Sequence, residues 1–200
     1  MIEIARYFGI KIVFKSITEP RSIELIAEAR KNNIDVECEV SIHHLFKNDS
    51  ACLGFDTDAK INPPLVNETK RLQLIEALQN GRIHSLSALH QPNSDIHKDI
   101  TFYDAHVGTT SITEYLPLLY TYLVETKTIS FSELIRIASH APARHIGIVS
   151  GEISVGLACD CILFDTQESF EVPHHHSLYK NETLKGKVVM AICRGEVTRF

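Results

Sequence analysis

Apolar residues recur in two alternating patterns along the first three quarters of the chain. Short runs of branched apolar residues predict buried strands, and apolar residues three or four positions apart predict helices. The predicted strands cover 10–14, 36–41 and 83–89, and the predicted helices cover 18–30, 68–78, 112–125 and 131–139, with 141–146 as a candidate continuation. Strands that alternate with helices in this order are typical of parallel βα units.

The connecting segments are polar or irregular, and the chain changes character after Gly151. Residues 42–64 are predicted to be irregular, and 90–108 to form a polar loop. The final part contains the short β runs CILFDT, KVVMAICRG and EVTRF between Gly and Asp turns. These runs predict a small antiparallel sheet at the C-terminal end.

Composition and charge argue against some classes of protein. The chain has 200 residues, 44% of them hydrophobic, and a formal net charge of -5. That charge argues against nucleic acid as the main partner, since phosphate binding needs a basic surface. No run of about 18 apolar residues predicts a membrane span, and the opening MIEIARYFGIKIVFK lacks the pattern of a secretion signal. We therefore expect a cytoplasmic protein, too short for a complete eight-unit barrel of about 250 residues.

The cysteine pattern allows two interpretations. The chain contains five cysteines, at Cys38, Cys52, Cys159, Cys161 and Cys193. Cys159 and Cys161 flank Asp160 in a β-like run, which predicts that both side chains point to one face of a strand. A thiol pair or a metal site would explain that spacing. We favour the other interpretation, that the cysteines are small buried hydrophobic residues in a reducing cytoplasm.

Clusters of histidine and glutamate are also candidates for metal or acid–base sites. His43 and His44 are adjacent, so at a strand end they are expected to face opposite ways and to pack rather than chelate one ion. The three histidines of 174–176 could bind metal adventitiously but are expected to form an exposed turn. Glu37 and Glu39 lie at strand spacing, and we expect exposure or pairing with lysine because burying both would be costly.

Six sequence blocks resemble one protein family in the right order. They are CEVSIHHLF, GFDTDAKINPPL, GRIHSLSALHQPN, SHAPARHIGI, GEISVGLACDCILFD and LKGKVVMAICRGEV. The second is the most specific, since it closely resembles the family block G-(Y/F)-D-T-x-x-K-x-N-P-P-L. On these blocks the chain resembles the C-terminal half of a dihydroorotase, a cyclic amidohydrolase of pyrimidine biosynthesis.

The resemblance implies a fold and a division into domains. Members of the family have a metal-bearing α/β barrel and a small β domain. The expected fold is therefore a partial (β/α) barrel of about the last three βα units in 1–148, followed by the C-terminal part of the small β domain in 149–200. The first five units, with the family's H-x-H metal pair and its bridging carboxylate or carbamylated lysine, would lie outside this chain.

Two family positions for the chemistry fall inside the chain. A metal-binding His of the family corresponds to Ser16, and the family's catalytic Asp corresponds to Leu89. Ring opening needs a metal to lower the pKa of bound water and a group to carry the proton. A catalytic zinc takes three protein ligands. Ser is a poor zinc ligand and Leu carries no proton, so no zinc or other cofactor is expected for this chain, although the family uses zinc.

Three substrate-side positions follow from the same resemblance. Asn62 matches an Asn that lies near the bound ring in the family, although its side chain could instead shape the loop turn. His90 matches the His beside the family's catalytic Asp, and we interpret it chiefly as a structural residue. Asn93 replaces a second His of that motif and could still donate a hydrogen bond.

The resemblance leaves two functions open. The first is a non-catalytic dihydroorotase-like protein with a structural or regulatory role. Aspartate carbamoyltransferase is a candidate partner because inactive relatives in this family support that enzyme. The alternative is a fragment of an active hydrolase, which cleaves a cyclic amide C–N bond once a missing N-terminal half completes it. Open edges of a parallel sheet predict self-association or a complementing N-terminal segment.

Overall fold

The computed structural model describes residues 1–173 and 175–200. It divides into two compact units, Met1–Ser111 and Ile112–Phe200. The boundary at 148 and 149 that the family resemblance implies stays a prediction. Of the predicted histidine turn at 174–176, His174 lies outside the described residues.

The first unit is an α/β structure around a parallel sheet, as predicted. Its helices and strands are α1 (Ile2–Phe8), β1 (Ile12–Phe14), α2 (Pro20–Lys31), β2 (Val36–Ser41), α3 (Ile42–Phe46), α4 (Glu68–Gln79), β3 (Ser85–Ser87) and α5 (Asp95–Lys98), with short 3₁₀ turns at Asp49–Cys52 and Thr57–Ala59. Within residues 1–111, the strand order is β1-β2-β3. Both pairings are parallel, with Ile12 opposite Val36 and Val40 opposite Leu86.

Strand β2 is the buried centre of this sheet. Val36, Cys38 and Val40 are fully buried, as expected for a parallel strand covered on both faces. Glu37 is also buried, and its carboxylate lies 2.9 Å from Lys11 Nζ and 3.4 Å from an Arg30 guanidinium nitrogen. The expected pairing with lysine is thus confirmed for Glu37.

Helix α2 buries the apolar face that its periodicity predicts, since Ile23 and Ile26 are almost fully buried. Helix α4 buries Leu74 and Leu78, whereas Leu72, an apolar residue of the predicted face, is exposed. Pro20 stands at the start of α2, where its missing N–H costs no helical hydrogen bond. The Asn67 side chain accepts a hydrogen bond from the Lys70 N–H and so begins α4.

The prediction that residues 42–64 are irregular is wrong at the start of that segment. Helix α3 begins directly after β2, and the Ser41 side chain accepts a hydrogen bond from the His43 N–H. His43 and His44 are therefore helical and not at a strand end, so the predicted opposite-facing arrangement is also wrong. Both side chains are fully buried. An N-cap serine allows the chain to turn from strand into helix without an intervening loop.

The second unit contains helices followed by an antiparallel sheet. The helices are α6 (Tyr115–Leu119), continued by a π-helical turn at Tyr120–Val124, and α7 (Phe131–Ile135), continued by a π-helical turn at Arg136–His140 and by α8 (Ala141–His145). The strands are β4 (Cys161–Glu171), β5 (Thr183–Cys193) and β6 (Glu196–Arg199). Both pairings are antiparallel, as the sequence predicts. Among the described residues, no helix combines the length and apolarity needed to cross a membrane.

The cysteines only partly follow the expected burial. Cys38 is buried, whereas Cys159 and Cys193 are exposed, and all five thiols are free. The interpretation of the cysteines as buried hydrophobic residues is therefore wrong for Cys159 and Cys193. Both lie at one end of the C-terminal sheet, where the strands begin or finish and leave their side chains uncovered.

Candidate active site at the carboxyl edge of the parallel sheet

The carboxyl ends of β1 and β3 carry the two positions that the family resemblance singles out. Ser16 follows the last residue of β1 by two positions, and Leu89 follows the last residue of β3 by two. Because the strands are parallel, their carboxyl ends lie at the same edge of the sheet. The Ile17 N–H donates to the Glu39 carbonyl oxygen at 3.0 Å, so the chain after β1 stays alongside β2.

Both positions adopt a backbone conformation that favours glycine. The φ angle is 52° at Ser16 and 44° at Leu89. This left-handed region costs an L-residue roughly 1–2 kcal/mol. Such strain persists where the surrounding structure imposes it, often at functional sites. Each of the two positions is therefore a strained turn at this edge of the sheet, and each carries a side chain that offers little chemistry.

The donors at these positions do not fit the zinc of the family. Ser16 offers a neutral hydroxyl and Leu89 offers no donor atom at all, while a catalytic zinc takes three protein ligands from imidazole, thiolate or carboxylate groups. Leu89 likewise cannot accept or release a proton. At the positions that the family resemblance assigns to a metal ligand and an acid–base group, this chain therefore has side chains that suit neither role.

The two buried histidines beside this edge are neutral packing residues. His44 Nε2 lies 3.1 Å from the Pro63 carbonyl oxygen and 3.2 Å from that of Pro64, so it donates to this segment. Burial lowers the pKa of His44. Burial, followed by the neighbouring His44, lowers the pKa of His43 to about 3, although a hydrogen bond to the Ala88 backbone opposes the shift. Both rings are uncharged at neutral pH.

Asn62 lies beside a cavity of about 390 Å³ in the first unit. Its side chain is exposed, and it precedes Pro63 in a cis peptide bond. Lys60 and Phe102 also line the cavity. The Lys60 ammonium donates to the carbonyl oxygens of Phe102 and Tyr103 at 2.8 and 2.7 Å. Asn62 is thus accessible to a small molecule, and its role in substrate binding stays a prediction.

His90 and Asn93 both make contacts that hold the following loop. His90 Nδ1 accepts a hydrogen bond from the Ser111 N–H at 3.0 Å. The Asn93 amide donates to the carbonyl oxygens of Gln91 at 3.2 Å and Val107 at 3.1 Å. These contacts give each side chain a structural role. Their contact with a substrate stays a prediction.

Sequence reasoning missed Lys98, which lies at the end of α5, a short helix within the segment 90–108 that was predicted to be a polar loop. Its side chain is 1% exposed, and its ammonium donates to the Thr57 carbonyl oxygen at 2.7 Å. The Thr57 hydroxyl donates back to the Lys98 carbonyl oxygen at 2.9 Å. Burial lowers the pKa of Lys98, while Asp58 nearby opposes the shift. A lysine within a polar segment carries no sequence signal of burial.

The left-handed backbone at Leu89 should affect the free energy of unfolding of variants at this position. We expect Leu89→Gly to be more stable than Leu89→Ala by about 1 kcal/mol, because both remove the side chain but only Gly relieves the left-handed strain. Urea unfolding of the two variants measures the difference. The same pair at Leu86, a buried residue of β3, is the control and should show the opposite order. A Leu89→Ala variant more stable than Leu89→Gly contradicts the strain.

Comparison with known proteins places the chain in a family. The model of the Amidohydrolase family matches residues 2–198. A dihydroorotase-like protein of Pseudomonas aeruginosa is 31% identical over 196 residues, covering 95% of this chain and 46% of that protein. The dihydroorotase of Clostridioides difficile is 32% identical over 194 residues, covering 94% of this chain and 46% of that protein. The chain therefore spans about half the length of the curated relatives it matches.

Solved structures show the same fold at lower identity. L-hydantoinase from Arthrobacter aurescens superimposes with a TM-score of 0.90 at 22% identity, over 99% of this chain and 47% of that one. Dihydropyrimidinase from Brevibacillus agri gives a TM-score of 0.87 at 22% identity, over 98% of this chain and 46% of that one. The family model and the dihydroorotase relatives confirm the resemblance that the six sequence blocks predict. The chain belongs to the amidohydrolase family.

Proposed function

We propose that this chain is a dihydroorotase-like protein of pyrimidine biosynthesis that does not catalyse ring opening and has a structural or regulatory role. The observation that carries the proposal is the pair Ser16 and Leu89. Both have a left-handed backbone at the carboxyl edge of the sheet, and neither has a side chain suited to hold zinc or to move a proton. Several curated relatives of the chain are named dihydroorotases, which supports the link to the cyclic amide substrate.

Hydrolysis of a cyclic amide requires both of the groups that Ser16 and Leu89 would replace. Water attacks an amide carbon at neutral pH only when its pKa is lowered, which a metal does in this class of reaction. The departing nitrogen then needs a proton from a positioned acid. A buried His43 with a pKa near 3 is neutral and poorly suited to replace either group.

We propose in addition that the first unit is part of a barrel and that the second contains part of the family's small β domain. The parallel sheet of the first unit and the superposition on a hydantoinase over 47% of its length support three βα units of a barrel. The antiparallel sheet β4–β6 then belongs to the small β domain, with the family boundary near residues 148 and 149.

An exposed apolar surface beside β1 supports the proposal that a further chain segment binds there. β1 is an outer strand of the sheet, and the large apolar side chains of Met1, Tyr7 and Phe8 are exposed near it. A cavity of about 320 Å³ is lined by residues of α1, β1 and α2. A complementing N-terminal barrel segment would pair with the strand and cover this surface. A second copy of the chain and aspartate carbamoyltransferase are the other candidate partners.

A hydrolysis assay tests the loss of activity. With dihydroorotate and added zinc, the purified chain should give no turnover above zinc in buffer, because the edge lacks a metal ligand and an acid–base group. Asn62→Ala is the matched variant, since it removes the predicted substrate contact without altering Ser16 or Leu89. Turnover by the unmodified chain that disappears in Asn62→Ala would overturn the proposal.

The second candidate function is a piece of a working hydrolase. It is favoured by the match to about half of each relative's length together with the exposed apolar surface beside β1. In that case the remaining metal ligands come from the complementing segment. Because Leu89 cannot carry a proton, a group outside the family pattern must then supply the acid–base step.

A further inference from the structure

Two thiols lie side by side where β4 begins. Cys159 Sγ and Cys161 Sγ are 3.9 Å apart. Cys159 is exposed and Cys161 is partly exposed, so solvent and small ions reach both sulfurs. This pair lies in the second unit and is separate from the carboxyl edge of the parallel sheet in the first.

The backbone around the pair is held by defined hydrogen bonds. The Asp160 N–H donates to the Ala158 carbonyl oxygen at 3.0 Å, which closes a tight turn at Cys159. The Asp160 carboxylate accepts a hydrogen bond from the Arg194 N–H at 2.6 Å. Arg194 lies in the turn between β5 and β6. The two cysteines are therefore fixed against the neighbouring hairpin and do not depend on a free loop for their spacing.

The distance between the sulfurs suits chelation of one ion. With metal–sulfur bonds of about 2.3 Å, sulfurs 3.9 Å apart subtend an angle of roughly 115° at the metal. Tetrahedral coordination needs nearly this angle. A disulfide requires the sulfurs to approach to about 2.05 Å, so chelation demands much less movement than oxidation.

The protonation of the two thiols also favours binding of a cation. Burial, followed by the neighbouring Cys159 thiol, raises the pKa of Cys161. Two adjacent thiolates repel each other, so the free pair keeps its protons. A cation between the sulfurs removes this repulsion, and its binding releases protons because thiolates are the ligands.

We propose that Cys159 and Cys161 form a bidentate thiolate site for a thiophilic divalent cation, of which Zn²⁺ and Cd²⁺ are examples. Water fills the remaining coordination positions. An adjoining cavity of about 620 Å³ in the second unit, lined by Asp160 and Cys161 among others, provides room for those ligands. The site is independent of the proposed function, since it uses neither Ser16 nor Leu89.

Titration of the reduced chain with Cd²⁺ alone tests the site. The ultraviolet charge-transfer absorption of cadmium thiolates reports sulfur ligands, so binding by the histidine tract does not contribute. We expect the absorption to saturate at one Cd²⁺ per chain, with release of protons. Cys159→Ser and Cys161→Ser should each raise the apparent Kd by about 10-fold or more.

Cys193→Ser is the matched control. Cys193 also lines the adjoining cavity, but Ile192 of β5 is opposite Cys161. Alternation along the strand therefore directs the Cys193 side chain to the other face of the sheet. This variant should keep the Kd and the absorption of the unmodified chain. The site is overturned if Cys159→Ser and Cys161→Ser both titrate like the unmodified chain, or if Cys193→Ser weakens binding as much as they do.

Discussion

Gly108→Ala should lower the free energy of unfolding by about 3 kcal/mol or more. Gly108 has a φ of 126°, and a Cβ atom at this position would lie 2.4 Å from the Gln91 carbonyl oxygen. The Gly108 N–H also donates to the Lys60 carbonyl oxygen at 2.8 Å. An added methyl group must therefore push apart backbone segments that are tied together on both sides. Urea unfolding at neutral pH measures the loss.

Gly81→Ala is the matched control for this effect. Gly81 also has a left-handed φ, of 66°, but nothing lies within 4 Å of an added Cβ. Its substitution should cost only the conformational strain, about 1 kcal/mol. Equal losses in the two variants would show that the close approach of Gly108 to Gln91 contributes nothing.

Acidification below about pH 6.5 should destabilise the chain through His43. Burial lowers the pKa of this ring from its ordinary value of 6.5 to about 3 in the folded state. Between those two values the unfolded chain binds a proton that the folded chain does not, so stability is present above pH 6.5 and falls as the pH is lowered towards 3. The slope approaches 1.4 kcal/mol per pH unit, roughly, for one such group. The lowered pKa of His44 acts in the same direction.

Two measurements check the role of His43. Urea midpoints between about pH 7.5 and pH 5 should fall for the unmodified chain and for His106→Gln, which alters an exposed histidine, but less steeply for His43→Leu. Nuclear magnetic resonance of the unmodified chain supplies an independent result. The His43 ring should remain neutral down to about pH 4. A His43 resonance that titrates near pH 6.5 would contradict the lowered pKa.

Local pattern predicted the elements of the first unit because each long element buries a regular face. The run Val36–Ser41 contains Val36, Cys38 and Val40, which are buried as a central parallel strand requires. Helix α3 has five residues, too few to show a periodicity, and its histidines look polar although both are buried. The N-cap Ser41 was the one available signal for it.

Contacts between distant parts of the chain could not be predicted. Lys98 is buried because its ammonium reaches the Thr57 carbonyl oxygen, 41 residues away, and no local pattern reports such a contact. The left-handed φ angles at Ser16 and Leu89 are also hidden, since neither residue is glycine. Family resemblance singled out these two positions from the aligned blocks, and the structure adds that both have a left-handed backbone.

Complementation of the proposed barrel tests the proposed loss of catalysis most directly. The N-terminal half of a working dihydroorotase is co-expressed with this chain, and complex formation is verified by co-purification before dihydroorotate hydrolysis is measured with zinc. The unmodified chain should give no turnover, whereas Ser16→His combined with Leu89→Asp, which restores both family groups, should gain it and so prove that the assembly is competent. Hydrolysis by the complex with the unmodified chain, at a rate comparable to that of the double variant, would contradict the account.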